Sequence, residues 1–300
     1  MNGIVPLNKD LGKTSSDYVY KLRKILQTKK IGHTGTLDPL VDGVLPICVG
    51  QSTKLVERLT SSPKEYCGEI TIGRSTTTED REGETVDSKP VLNEISIDNI
   101  RETLSSMEGE IEQIPPMFSA VKVNGKKLYE YARAGETVER PVRRINIYKF
   151  ELNGEIELNE DTNEQTVPFR VRCSKGTYVR TLAVQVGEKL GYPAFMSQLT
   201  RVESAGILIE NTYHLSEIEE MVKNENYEFL TSIESVLSYL PKYTLNDDEW
   251  NLVGNGVGLQ LNSDKNSEVA LYFEDKIKAI YKYDHSKNLW VASTMLLQNN

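Results

Sequence analysis

Three cysteines, three histidines and two tryptophans are all that this chain of 300 residues holds of those types. Cys48, Cys67 and Cys173 stand far apart and form no C-x-x-C pair. With only His33, His214 and His285 beside them, neither a disulfide framework nor a zinc site is expected. No apolar run approaches the ~18 residues of a membrane-spanning helix. The opening MNGIVPLNKD lacks a basic stretch followed by a long apolar one, so a secretory signal is not expected there. A basic surplus is missing too: 35 Lys+Arg against 44 Asp+Glu leave a formal net charge of −9. That sum is the opposite of what a nucleic-acid binder usually shows. The expectation from these absences is a soluble, reduced, cytoplasmic protein with no membrane association.

What is present is sufficient for a core. Hydrophobic residues make up 38% and aromatics 8%, which excludes wholesale disorder. The length suits one large domain, or a larger one with a small companion. The charge is unevenly placed: residues 1–60, 117–150 and 167–201 are net positive, and 61–116, 151–166 and 202–300 are net negative. Binding follows such a distribution and not the total.

Hydrophobic periodicity predicts a strand over Gly3 to Leu7 and a helix carrying Tyr18, Val19, Leu22, Ile25 and Leu26, capped by Ser15 or Ser16. A Gly-rich stretch, GHTGTLDPLVDG, leads into the buried-strand pattern VLPICVG, and a short helix starts at Thr53. KEYCGEITIG alternates so that Tyr66, Ile70 and Ile72 share a face. Residues 74–95 read as an exposed acidic loop, and Ser96 caps the next helix. A turn at Asn124-Gly125, a helix stopped by Gly135, strands near 142–152 and 166–173, and a helix from about Thr177 to Gly191 follow. After Pro241 the pattern is all short strands: Gly254 to Leu261, Val269 to Phe273, Ile277 to Tyr283 and Leu289 to Ser293.

The densest cluster of chemistry is His33-Thr34-Gly35-Thr36-Leu37-Asp38-Pro39. Asp38 there either organises a turn through its own backbone or acts as a carboxylate nucleophile or acid–base group on a rigid loop. Arg180 alone reads as a solvated arginine or a phosphate contact, Tyr66 as core, and Lys9 as an ordinary surface lysine.

GHTGTLDPLVDGVLPICVGQSTK resembles the signature of the bacterial tRNA pseudouridine synthase B family. So do PLNKDLGKTSSDYV, KEYCGEITIGRSTTTEDREGE, IPPMFSAVKVNGKKLYEYARAGE and CSKGTYVRTLAVQVGEKLG, in order, across residues 1–201. The last sixty or so residues are similar to the family's PUA-like RNA-binding domain in size, position and strand pattern. The implied fold is α+β: a mixed, largely antiparallel sheet with flanking helices, plus a small β-rich PUA-like domain. The implied domains are 1–238, catalytic, with a thumb-like insertion at about 117–145, and 239–300, PUA-like.

The resemblance implies a stand-alone, monomeric enzyme with no cofactor and no obligatory protein partner. It would convert uridine to pseudouridine at position 55, in the T-arm stem-loop of tRNA. Uracil leaves its ribose, rotates, and rejoins through carbon 5, by attack or elimination driven by Asp38. Arg180 pairs with that carboxylate, Tyr66 stacks on the flipped base, Tyr178 forms a second wall, and Lys9 supports the loop. His33 takes the place of the extruded base, while Leu199 and Arg201 lie near the RNA. Lys122, Lys126, Lys127, Arg133, Arg140, Arg143 and Arg144 of the thumb-like segment, interleaved with Phe118, Tyr129 and Tyr131, meet the RNA backbone. Phe195-Met196 depart from the family's usual histidine-leucine. Two alternatives stay open: an RNA-folding factor on the same scaffold, and a synthase for another RNA inside a guide-directed particle.

Overall fold

The computed structural model describes residues 1–297. In chain order β1 (Gly3–Lys9) is followed by α1 (Ser15–Ile25), β2 (Ile31–His33), β3 (Asp42–Val49) and, after a 3-10 turn, α2 (Val56–Ser61). Next come β4 (Lys64–Ile72), β5 (Arg74–Thr76), β6 (Thr85–Ser88), α3 (Ile97–Ser105), β7 (Gly109–Gln113), β8 (Lys122–Val123), β9 (Lys126–Lys127) and α4 (Leu128–Ala134). Then follow β10 (Arg143–Leu152), β11 (Glu157–Asn159), β12 (Glu164–Cys173), α5 (Val179–Leu190), β13 (Ala194–Ser204) and β14 (Ile207–Leu208). The chain ends with α6 (Leu215–Lys223), α7 (Ile233–Val236), β15 (Lys242–Thr244), α8 (Asp247–Gly254), β16 (Glu268–Phe273), β17 (Lys276–Asp284) and β18 (Leu289–Met295).

Most of these elements start and stop where local chemistry directs. Thr14, not Ser15 or Ser16, caps α1, because Asp17 closes a reciprocal capping box with it. Ser96 caps α3 by accepting from Asn99 N, as the sequence indicates. Asn124 (φ 50°) and Gly125 (φ 82°) form the two-residue turn between β8 and β9, a conformation that needs left-handed backbone at both positions. Residues 74–95 are more ordered than an exposed loop, since β5 and β6 pair as a small hairpin. The stretch after Pro241 is not all strand: Asn246 and Glu249 close a capping box that starts α8. Gly254 to Leu261 is not a strand, and only Leu259 bridges to Trp290.

By its internal contacts the chain forms two compact units. One comprises Met1–Pro39, Val44–Thr60 and the residues from Ala205 onward; the other comprises Leu40–Gly43 and Ser61–Ser204. In the first unit β1 lies beside β3, and β2 adds to β3 through Ile31↔Val49 and His33↔Ile47. The backbones of Tyr213 and Thr231 pair with the other side of β1. A separate sheet, β15-β16-β17-β18, fills the end of the chain. Strand β17 feeds two cores. Ile277 and Ile280 join Ile4, Val44, Leu55 and Leu237, while Ala279 and Tyr281 join Val253, Leu271 and Trp290. Residues after Pro241 therefore share a core with the first sixty.

The second unit is built on an antiparallel run, β13-β4-β12-β10-β7. Helices α3 and α5 pack against it. Phe150 of β10 and Phe169 of β12 meet edge to face at 5.6 Å in its core. The first residues of β3 join parallel to β13, through Asp42↔Thr200 and Gly43↔Arg201. Here backbone meets backbone: a Cβ on Gly43 would stand 2.3 Å from the Arg201 carbonyl oxygen, and the residue has φ +97°. The architecture is α+β with a mixed, largely antiparallel sheet and a distinct β-rich C-terminal sheet. Among the described residues no helix is long and apolar enough to cross a membrane.

Gly43→Ala is expected to lower stability by about 2–4 kcal/mol, since clash and backbone strain add. Urea titration followed by circular dichroism measures it. A change below about 0.5 kcal/mol would show that the β3–β13 junction yields.

Candidate active site

The loop bearing Asp38 is pinned on both sides. Thr34 is buried and donates N–H to the Pro46 carbonyl at 3.1 Å. Leu37 donates its N–H to Ser15 Oγ at 2.9 Å, and Ser15 Oγ donates to the Leu37 carbonyl at 3.2 Å. On the far side, the Pro39 carbonyl accepts from Gly12 N at 2.8 Å and from Lys9 Nζ at 3.4 Å. Asp38 is thus flanked by two residues whose positions are fixed by α1 and by the end of β1, while it is itself only half-buried. His33 ends β2, half-buried, and its Nδ1 accepts from Gly35 N at 3.3 Å.

Lys9 is not a surface residue. It is fully buried, and its ammonium also donates to the Asp10 carbonyl at 3.0 Å. The alternation of β1 carries the signal, because Val5, Leu7 and Lys9 share one face and the first two are core.

The second unit holds the other singled-out residues. Tyr66 is buried on β4, and its direct cross-strand neighbours are Val171 of β12 and Arg201 of β13. Arg201, expected beside the RNA, is only 1% exposed, and Leu199 is buried as well. Neither is presented at the surface as a phosphate contact would be. Phe195 and Met196 are core residues too: the Arg74 guanidinium lies 4.5 Å over the Phe195 ring, and Met196 N donates to the Glu79 carbonyl at 3.0 Å.

Arg180 is only 6% exposed, so a solvated arginine is the wrong description. It occupies the second position of α5. Nη1 donates to the Thr78 carbonyl at 3.0 Å and faces Asp80 Oδ2 at 3.5 Å, and Nη2 donates to the Phe118 carbonyl at 3.1 Å. Two segments far apart in sequence are thereby tied to one guanidinium. Asp80 is buried, and its Oδ1 accepts from Thr78 Oγ1 and from Glu82 N, so it organises its own turn as well as facing the arginine. In the sequence Asp80 is one acid among several, and the run TTTEDREG before a strand is the signal that marks it.

Gln113 was also missed. It is 2% exposed and clasps the backbone of Tyr178: Oε1 accepts from Tyr178 N at 2.8 Å and Nε2 donates to Tyr178 O at 3.1 Å. This fixes the residue preceding α5, which no side chain caps. The Tyr178 ring is half-buried.

The thumb-like segment sorts its cations by partner. Lys126 sits 4.5 Å over the Tyr131 ring and pairs with Glu136 at 2.8 Å. Arg133 and Lys127 lie over Tyr129 at 5.3 and 5.4 Å. Arg144 faces Glu110 and Glu112 of β7 at 3.5 and 3.8 Å, and Arg140 donates to the Pro115 carbonyl at 3.0 Å. Lys122 and Arg143 are exposed.

Asp38 and Lys9 thus belong to one unit, and Tyr66, Tyr178, Arg180 and the thumb-like segment to the other. Comparison with known proteins gives the chain its class. Residues 23–179, more than half of the chain, match the model described as the TruB family pseudouridylate synthase, N-terminal domain. A tRNA pseudouridine synthase B from Latilactobacillus sakei subsp. sakei is 51% identical over 301 residues, covering 100% of this chain and 99% of the relative. Those of Listeria monocytogenes serovar 1/2a (51%) and Ligilactobacillus salivarius (49%) align over 100% and 99% of this chain and 99% of each relative. Among solved structures, a chain in the crystal structure of a Cbf5-Nop10-Gar1 complex superposes with a TM-score of 0.72 at 26% identity, covering 98% of this chain and 84% of that one. The chain belongs to the TruB family of pseudouridylate synthases.

Asp80→Asn keeps an oxygen for Thr78 and Glu82 but removes the charge facing Arg180. It is expected to slow pseudouridine formation about 10–100-fold in single turnover while RNA affinity stays within about twofold. A rate equal to wild type would show that the Thr78 and Phe118 carbonyls suffice to hold the guanidinium.

Proposed function

We propose that this enzyme acts on tRNA, converting uridine to pseudouridine at position 55 in the T-arm, as a cytoplasmic monomer working without guide RNA. The observation that carries this reading is identity of about half along essentially the whole chain to proteins named tRNA pseudouridine synthase B. The structural neighbour from a multiprotein complex is far less similar, at 26%. Asp38, Tyr66 and Arg180 are all present, which favours turnover over a purely RNA-folding role.

The uridine has to leave the folded T-arm before chemistry, at a cost of a few kcal/mol of stacking. Tyr66 and Tyr178 supply ring faces for the extruded base, and His33 fills the gap it leaves. Asp38 is the catalytic carboxylate. The bond between ribose carbon 1′ and uracil N1 breaks, the base turns while held, and the bond from carbon 1′ to carbon 5 forms. The proton displaced from carbon 5 departs, and N1 gains one, so substrate and product are isomers. Arg180 supplies the fixed positive charge of the reaction, with Asp80 and two carbonyls keeping its planar fork aimed. Lys9 holds the Pro39 carbonyl and with it the turn after Asp38.

Exposed Lys122 and Arg143, with the ring-supported Lys127 and Arg133, bind backbone phosphates. The division 1–238 and 239–300, catalytic and PUA-like, is kept as a division of roles in RNA handling.

Tritium release from carbon-5-labelled uridine in tRNA tests the reading. Wild type is expected to release tritium from an isolated T-arm hairpin with no added protein or guide RNA. Asp38→Asn is expected to abolish release while leaving binding within about twofold. Full activity in that variant refutes the assignment, and wild-type activity only with added components points to the particle instead. Arg143→Ala is expected to reduce the slope of log affinity against log salt by about 1.

A further inference from the structure

Glu79 takes no part in the chemistry just described, yet it occupies a conspicuous position. Its backbone has φ +63°, in the left-handed region, where a residue other than glycine costs of order 1 kcal/mol. It is held there by Glu79 N donating to the Thr76 carbonyl at 3.2 Å and by Met196 N donating to the Glu79 carbonyl at 3.0 Å. The half-buried carboxyl accepts from Thr181 Oγ1 at 2.6 Å. Two consecutive acids therefore grip two consecutive residues in the first turn of α5: Asp80 faces Arg180, and Glu79 takes Thr181. The N-terminal end of a helix favours negative charge, and here it receives two.

We infer that Glu79 is a positioning residue: its ionised carboxylate, acting through Thr181, fixes the first turn of α5 and so the aim of Arg180, and its protonation lowers the rate at acid pH. The inference rests on the proposed synthase reading. The groups that face Glu79 are Arg180 and Thr181 of α5, Arg140 from the segment before β10, and Asp80 from its own turn. Burial raises its pKa above the usual carboxylate value, opposed by the Thr181 hydrogen bond and then by Arg180 and Arg140. Asp80, a like charge, raises it further.

A carboxyl whose folded pKa is raised prefers to be protonated in the folded state. Its contribution is full below the unfolded pKa and is lost as pH rises through the folded one. Ionised Glu79 is thus held at some expense to the fold.

Glu79→Gln retains an oxygen for Thr181 and removes the charge. Single-turnover tritium release with pre-bound tRNA is compared with wild type between about pH 5 and about pH 8. The expected result is a rate at the upper end reduced about 3–10-fold, an acid limb that is displaced or lost, an unchanged tRNA dissociation constant, and a Tm at neutral pH equal to wild type or higher. Thr181→Val combined with Glu79→Gln should slow the reaction no more than the worse single variant, because the two act in series. An unaltered rate and pH profile overturns the inference, as does a fall in Tm and rate with the acid limb in place, or additive losses in the double variant. Wild-type inactivity on tRNA would take down the synthase reading and this one with it; an active wild type with an indifferent Glu79→Gln removes only this one.

Discussion

A guanidinium taken almost wholly out of water ties together separate segments of the second unit. Arg180 cannot lose its charge, and a buried donor left unsatisfied costs roughly 1–3 kcal/mol. The protein answers with the Thr78 and Phe118 carbonyls and the Asp80 carboxylate, from segments about a hundred and about sixty residues away in sequence. Meeting that demand shapes the surroundings. The 76–82 turn folds around Asp80 with Glu79 in left-handed backbone, and the Phe118 carbonyl brings its own segment to the guanidinium. Gln113, at the end of β7, fixes the entrance to the helix that carries the arginine.

The first unit uses the same device with an ammonium. Lys9 is buried with its charge directed at the carbonyls of Asp10 and Pro39, and Ser15 clamps Leu37 from the other side. The loop between them owes its shape to hydrogen bonds made by the residues on either side of Asp38. In both units a cation organises carbonyl groups of irregular backbone, which regular secondary structure would otherwise have satisfied.

Charge tells a similar story. The three positive blocks coincide with the Asp38 loop, the thumb-like stretch and the Arg180 helix, but a block sum counts cations that are already engaged. Lys126 and Arg144 have acidic partners, Arg140 has a carbonyl, and Arg180 and Arg201 are buried. The positive charge left exposed is smaller than the sum suggests, and Lys122 and Arg143 are part of it.

The sequence by itself determined what depends on near neighbours: the strands of alternating or unbroken apolar residues, the Ser96 cap, the Asn124-Gly125 turn, and a motif order close enough to reveal the family. The capping boxes at Thr14 and Asn246 are both written in the residues three positions on. Tertiary structure alone decided which charges are buried. Lys9 and Arg201 look like surface cations until strand pairing encloses them, and Asp80 and Glu79 look like solvated acids until α5 sets Arg180 and Thr181 against them. Burial of a charge depends on partners remote in the chain, and those partners acquire their positions only when the sheet has formed.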